Sequence, residues 1–424
     1  MTSYVIKDVA ILDGKPTDIV VKDGVIAEIG KGLTADQTVD GSGCIALPGL
    51  VDLHTHLREP GREDAETVLS GSRAAAMGGF TAVHAMANTN PVADTAGVVE
   101  QVWRLGQEAG LVDVRPVGAV TMGLEGTALA ELGAMADSAA AVRVFSDDGK
   151  CVHDAALMRR ALEYVKAFDG VVAQHAQEPR LTEGAQMNEG VISGKLGLAG
   201  WPAVAEEAII ARDVLLAHHV GSRLHVCHLS TAGSVEIIRW AKSRGINVTA
   251  EVTPHHLYFT DDVVESYDPI FKVNPPLRSA ADIEALKEGL LDGTIDAVAT
   301  DHAPHVRRDK ELPLDQAPPG MLGLETALGV VLSVVPMTVA QIATVMSTNP
   351  ARIAGLSDRH GMLPAVGRPA NLCVVDMDAQ WSVDPQQLAS KSTNTPFVGR
   401  TLRGKVRHTI FEGAVVVNEG VAQR

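Results

Sequence analysis

The sequence predicts an α/β chain: a (β/α)8 TIM barrel with a small β-sandwich domain formed by the N- and C-terminal segments. Three observations carry that prediction. Eight apolar runs alternate with helix-like segments across residues 49–365. Hairpin patterns are confined to residues 1–48 and 366–424. Histidines and aspartates gather at the C-terminal ends of the apolar runs, where barrels of this kind carry their chemistry.

Residues 1–48 read as short strands and turns, with Asp23-Gly24 joining two apolar runs as a hairpin. Residues 405–411 and 414–417 flank Glu412-Gly413 in the same way. Neither terminal piece has enough apolar surface for its own core, so the two are expected to pair into one β-domain.

In the middle, the runs are 50–53, 80–85, 114–120, 141–145, 171–173, 224–226, 248–252 and 297–299. Helix-like segments follow at 65–77, 97–108, 128–136, 155–168, 204–218, 234–243, 283–291 and 324–334. Asp154 reads as an N-cap, and Gly170 and Gly245 as C-cap glycines. An open doubly wound sheet uses the same units, but no GxGxxG follows the first run, which favours the barrel.

Composition narrows the function. The chain has 424 residues, 46% of them hydrophobic and only 4% aromatic, with small aliphatic residues suited to packing helices on a parallel sheet. A formal net charge of −16 argues against nucleic acid or an anionic membrane as partner. Cys44, Cys151, Cys227 and Cys373 are dispersed without CxxC spacing and read as reduced packing residues. Met1-Thr2-Ser3-Tyr4-Val5 shows no signal peptide, and no apolar stretch reaches the ~20 residues that span a bilayer. A cytoplasmic enzyme is expected.

Asp52-Leu53-His54-Thr55-His56 closes the first run. Residues two apart on a strand share a face, so His54 and His56 would aim two imidazoles at one point. Asn88 follows run two, Ser146-Asp147-Asp148-Gly149 run four, His175 run five, His228 run six and Asp301 run eight. Imidazoles and carboxylates without clustered thiolates favour zinc, with manganese, cobalt or iron as alternatives. Four histidines and two aspartates exceed one tetrahedral site and suit two metals bridged by Asp148. A metal-bridging hydroxide would be a nucleophile at neutral pH, and Asp301 could take its proton.

The remaining histidines have plainer readings. His218-His219 ends a helix, where cations meet the C-terminal dipole. His84 and His153 lack clear partners, and His302 should point away from the metals. His255-His256 is either structural or an outer support for the ligands. The charged, proline-rich stretch 306–321 is either a cover for the site or an ordinary surface loop.

The split β-domain, the His-x-His and the later His, His and Asp together resemble the amidohydrolase superfamily. Within it, residues 52–61 and 299–305, with Lys310 beyond, are similar to the two signatures of the dihydroorotase family in its long, type I bacterial form. Ala87-Asn88-Thr89-Asn90-Pro91 and residues 272–278 match it as well. The resemblance implies two Zn2+ per subunit, one held by His54, His56 and Asp301, the other by His175 and His228, with an aspartate bridge. Asp148 is preferred to Asp147 as that bridge because Gly149 follows it. Arg58, Asn88 and His305 would bind the substrate α-carboxylate, and Asn274 the ring or ureido group. Many relatives bridge their metals through a carboxylated lysine on the fourth strand, but residues 141–148 contain none, and Lys150 lies past the turn.

The implied reaction is the reversible cyclisation of N-carbamoyl-L-aspartate to L-dihydroorotate in pyrimidine biosynthesis. A homo-oligomer and association with aspartate transcarbamoylase are further implications. Two alternatives are a hydantoinase or allantoinase, which would not need Arg58, Asn88 and His305 for a carboxylate, and a non-catalytic partner of aspartate transcarbamoylase. Lost metal ligands would mark the second, and none is lost.

Overall fold

Eight parallel strands form the centre of the molecule: Leu50–Thr55, Phe80–Ala85, Asp113–Pro116, Val144–Phe145, Val171–Gln174, Leu224–Val226, Val248–Val252 and Ala297–Val298. The computed structural model describes residues 3–424, so Met1 and Thr2 of the first predicted segment lie outside the described residues. Neighbouring strands pair in parallel, first to third and fourth to eighth. Parallel bridges Gly118–Phe145 and Thr55–His302 close the two remaining gaps, so the sheet is a barrel and not an open sheet. Gly118 is required at its seam, since a Cβ there would lie 2.9 Å from the Phe145 ring and from Met135 Sδ.

The predicted third and fourth runs overshoot their strands. Residues 117–120 and 141–143 are irregular, and Ala141 adopts φ +48°. Inside the barrel, Val51, Leu53, Ala82, Val117, Val144, Val171, Ala173, Ala297 and Ala299 form a core of small side chains. Ala351 and Ile353 join that core. Ser347 Oγ donates to Gly49 O (2.6 Å) and Asn349 Nδ2 to Asp296 O (2.9 Å), so this segment caps the N-terminal mouth and leaves the C-terminal mouth for the site.

A helix follows each strand, from Val68–Met77 to Ala327–Val334. Asp154 caps its helix by accepting from Leu157 N at 2.7 Å. Gly245 takes the left-handed conformation expected of it, with φ +72°. Gly170 does not. Its helix ends in a tight turn at Lys166–Phe168, and Asp169 adopts φ +54° in its place. Between strands five and six, the chain also inserts the short strands Met187–Asn188 and Gly200–Trp201 and the helix Val191–Leu196.

The chain ends build one nine-stranded sheet. Its seam is the antiparallel pairing of Leu372–Ser382 with Ile45–Pro48, which joins C-terminal to N-terminal segment. Asp23 (φ +52°) with Gly24 (φ +81°), and Glu412 (φ +48°) with Gly413 (φ +80°), form the two predicted hairpin turns. These turns touch, because a Cβ on Gly413 would fall 2.5 Å from Gly24 Cα. The sheet thus curls on itself around Ile6, Ile19, Val21, Ile26, Leu372, Val374 and Ile410, which gives the sandwich-like core. The four cysteines are buried and unpaired. Among the described residues, no helix is long and apolar enough to cross a membrane.

Candidate metal centre

Asp148 lies at the focus of four imidazoles. Its Oδ1 is 3.1 Å from His54 Nε2, 3.3 Å from His175 Nδ1 and 3.5 Å from His228 Nε2, and its Oδ2 is 3.4 Å from His56 Nε2. Asp301 Oδ1 approaches from the opposite seam of the barrel, 3.0 Å from His56 Nε2 and 3.5 Å from His54 Nε2. The six predicted ligands therefore converge, and all are buried. Asp147 does not join them. It turns outward to accept from Val120 N (2.8 Å), Thr121 N (2.9 Å) and the Thr121 hydroxyl. Lys150 is exposed.

Each of three imidazoles is aimed by a bond on its far side. His54 Nδ1 donates to Glu251 Oε1 (2.9 Å) and His56 Nδ1 to Asn88 Oδ1 (2.9 Å). His175 Nε2 donates to Gln177 Oε1 (2.8 Å), which turns Nδ1 inward. Backbone strain concentrates here as well. Arg58, His228 and Asp301 adopt φ values of +63°, +33° and +47°, each at a cost of about 1–3 kcal/mol that the surrounding bonds must offset.

The electrostatics favour a cation. Burial raises the Asp148 carboxyl, but the His54, His175 and His228 imidazoles outweigh it and hold the group well below the usual carboxylate range. Asp301 is lowered in the same way by His54 and His56. Burial opposes protonation of His54, yet Asp148 and Asp301 raise its pKa well above the ordinary value. Two buried carboxylates thus recruit positive charge, by protonating imidazoles when no ion supplies it. His54, His56 and Asp148, and again Asp148, His175 and His228, bring one ligand atom each within 4.8 Å of one another, so two cation positions can share Asp148. His54 Nε2 is buried without a hydrogen-bond partner, as a lone pair reserved for an ion would be. The donor set fits a divalent metal.

The predicted substrate contacts lie on the loops above. Arg58 Nε donates to Pro304 O (3.1 Å), and Nη2 lies 3.4 Å from His305 Nε2. Burial draws Arg58 down to about 10, so it stays cationic at neutral pH, and among the described residues no carboxylate pairs with it. His305 Nε2 donates to Pro319 O (2.9 Å), and burial with the charges of Arg58 and Lys310 lowers its pKa to about 2, so the ring is neutral. Asn274 Nδ2 donates to Gln177 Oε1 (3.2 Å), while its Oδ1 is buried and unpartnered. Asn88 already serves His56 through its oxygen, which leaves its amide nitrogen for a ligand.

The other histidines settle into the framework. His84 Nδ1 donates to Asp52 O (2.8 Å), a partner not evident in the sequence. His302 turns away from the centre, where its Nδ1 accepts from Gly323 N (3.2 Å). His256 bonds Thr253 Oγ1 (2.6 Å) and Pro275 O (3.0 Å), so it supports no ligand directly. His218 and His219 occupy the last turn of Val204–Val220 as expected. Lys310 pins the 306–321 loop by donating to Pro269 O (3.1 Å), Lys272 O (3.4 Å) and Pro318 O (2.9 Å).

Sequence reasoning missed Glu251, Gln177 and His225. The signal for two of them was present: Glu251 is a lone carboxylate inside the apolar run 248–252, and His225 a lone imidazole inside 224–226.

Known proteins resemble the whole chain. A Dihydro-orotase-like family profile matches residues 43–234. The dihydroorotase of Streptomyces coelicolor is 63% identical over 426 residues, covering 99% of each chain. That of Mycobacterium tuberculosis is 56% identical over 415 residues, covering 96% of each. Among solved structures, an L-hydantoinase (dihydropyrimidinase) from Arthrobacter aurescens superposes with a TM-score of 0.87 at 28% identity, covering 100% of this chain and 98% of that one. A dihydropyrimidinase from Brevibacillus agri gives 0.82 at 21% identity, covering 99% and 96%, a likeness of fold alone.

Proposed function

The chain belongs to the dihydroorotase family, and we propose that His54, His56, Asp148, His175, His228 and Asp301 form its catalytic centre around two divalent metal ions, with zinc the preferred element. It is a metal-dependent cyclic amidohydrolase that interconverts N-carbamoyl-L-aspartate and L-dihydroorotate in pyrimidine biosynthesis. The observation that carries the proposed centre is the position of Asp148, with both oxygens turned toward four imidazoles.

When bound, the ions would polarise the scissile carbonyl and acidify the attacking water. The protein supplies the rest. Asp148 and the four histidines fix the positions of charge. Asp301, held at the seam of the barrel, takes the proton of the attacking water in hydrolysis and passes it to the departing ring nitrogen. In ring closure it returns a proton to the oxygen that leaves as water. Arg58 presents a half-buried guanidinium without a carboxylate partner to the substrate α-carboxylate, which is drawn to it by charge and by two parallel N–H donors. The Asn88 amide nitrogen and the His305 ring border the same carboxylate. The Asn274 amide oxygen, without a partner in the protein, accepts from a ring or ureido N–H.

This reading separates the chain from the hydantoinases whose fold it shares, since their substrates offer no carboxylate to Arg58. We also take residues 1–48 and 366–424 as one domain and 49–365 as the other, in a cytoplasmic homo-oligomer able to associate with aspartate transcarbamoylase. Sedimentation with and without that enzyme tests the last two points. The activity is tested by hydrolysis of L-dihydroorotate and of hydantoin by zinc-loaded protein. Turnover of the first with little of the second is expected, and the reverse order would overturn the assignment.

A further inference from the structure

Glu251 is a fully buried carboxylate, and no metal position reaches it without displacing a bond it already makes. Its Oε1 accepts from His54 Nδ1 (2.9 Å) and its Oε2 from His225 Nε2 (3.0 Å). His225 is itself held, with Nδ1 2.8 Å from Thr249 Oγ1. A bare carboxylate in this interior would be very costly, and two imidazole N–H donors make it tolerable. His225 holds one oxygen and so fixes the plane of the carboxylate, which leaves the other oxygen aimed at His54.

The consequence falls on His54. A neutral imidazole, the form that binds a metal, presents its lone pair at Nε2 when it donates from Nδ1. That nitrogen is the one with no hydrogen-bond partner, and it lies between Asp148 Oδ1 (3.1 Å) and Asp301 Oδ1 (3.5 Å). His54, Cys227 and Glu251 also bring ligand atoms within 4.8 Å of one another, which could suggest a further cation position below the centre. Both Glu251 oxygens are already engaged by imidazole N–H groups, so that cluster holds a hydrogen-bond chain.

We propose that Glu251, held in place by His225, is the positioning residue that fixes the tautomer and direction of His54 and thereby sets the affinity of the metal position His54 shares with His56 and Asp301. The chain Thr249–His225–Glu251–His54 joins strands six, seven and one, so three strands of the barrel wall contribute to one ligand. His175 and His228 have no hydrogen bond to Glu251, and their metal position should not feel its loss. The inference rests on the metal-centre reading above but concerns a residue outside the ligand set.

The test uses metal-stripped full-length protein, zinc and a competing chelator, with wild type, Glu251→Gln and Glu251→Asp. Gln keeps the shape but loses the charge, and Asp keeps the charge but is too short to span both imidazoles. One zinc position should weaken by about 10–100-fold in either variant while the other changes by less than about 3-fold. The melting temperature of the metal-free Gln variant should stay near that of wild type. His225→Asn, which frees one oxygen of Glu251, should give a smaller loss at the same position. Equal weakening of both positions with a lowered metal-free melting temperature would make Glu251 merely structural and overturn the proposal, as would unchanged zinc affinity. If Glu251→Asp fails to fold, Glu251→Gln and His225→Asn still decide. Wild-type protein that bound no zinc would instead refute the metal centre itself.

Discussion

Thr300 donates twice to Asp52, from Oγ1 to Oδ2 at 2.6 Å and from its backbone N to Oδ1 at 3.0 Å. The same Oδ1 accepts from His54 N at 3.0 Å. One carboxylate thus ties strand one to the segment that follows strand eight, joining the stretch that leads into His54 and His56 to the residue that precedes Asp301. Asp52 is fully buried, and burial raises its pKa to about 7 against the pull of these three bonds. The staple explains how Asp301 is kept at φ +47° with its carboxylate toward His56.

Thr300→Val should therefore lower both stability and turnover. It leaves Asp52 Oδ2 buried without its donor, at a cost of about 1–3 kcal/mol. Thermal melting of the metal-free protein and a hydrolysis assay check this. An unchanged melting temperature would show that the staple is dispensable.

Much of the barrel and its centre is legible in the amino-acid sequence. The eight runs and the ligand candidates follow from periodicity and from polar residues ending apolar segments, both of which are local. What is not legible depends on side chains meeting across the barrel. Glu251 is 197 residues from His54, and no spacing rule links them. Asp147 and Asp148 are adjacent and alike in chemistry. The family resemblance favours Asp148, and the fold gives the physical reason: Thr121 takes Asp147 while the imidazoles surround Asp148. Gly170 is a reasonable C-cap by residue type, but the tight turn at Lys166–Phe168 brings Asp169 to the left-handed position first.

Asp301→Asn should reduce turnover by about 10²–10⁴-fold while removing less than half of the bound metal. Asn keeps one oxygen toward His56 but cannot carry a proton. Paired measurement of kcat and elemental content checks the split, and near-normal turnover would contradict the proton-transfer role.

Arg58→Met should raise KM for L-dihydroorotate, or lower kcat/KM, by an amount equivalent to about 2–5 kcal/mol, with metal content unchanged. Neutral dihydrouracil serves as comparison, because it lacks the carboxylate. An equal loss on both substrates would show that Arg58 does not read that group.

Glu325 links stability to pH away from the centre. It accepts from Ala389 N at 2.9 Å and Ser390 N at 3.2 Å, but burial outweighs these bonds and raises its pKa from 4.5 to about 7. A carboxyl raised on folding contributes stability that is complete below its unfolded pKa and is lost as pH rises through the folded value. The wild-type melting temperature should therefore fall as pH rises from about 4.5 to about 7, and Glu325→Gln should flatten that fall. Parallel curves for the two proteins would place the pH dependence elsewhere.

The proposed chemistry depends above all on two metals sharing Asp148. The direct measurement is a titration of metal-stripped protein with zinc, with L-dihydroorotate hydrolysis and bound metal followed together. Activity should rise to a plateau as occupancy approaches about two ions per chain, as the six converging ligands require. Full activity at one ion per chain, with no further gain on the second, would contradict it.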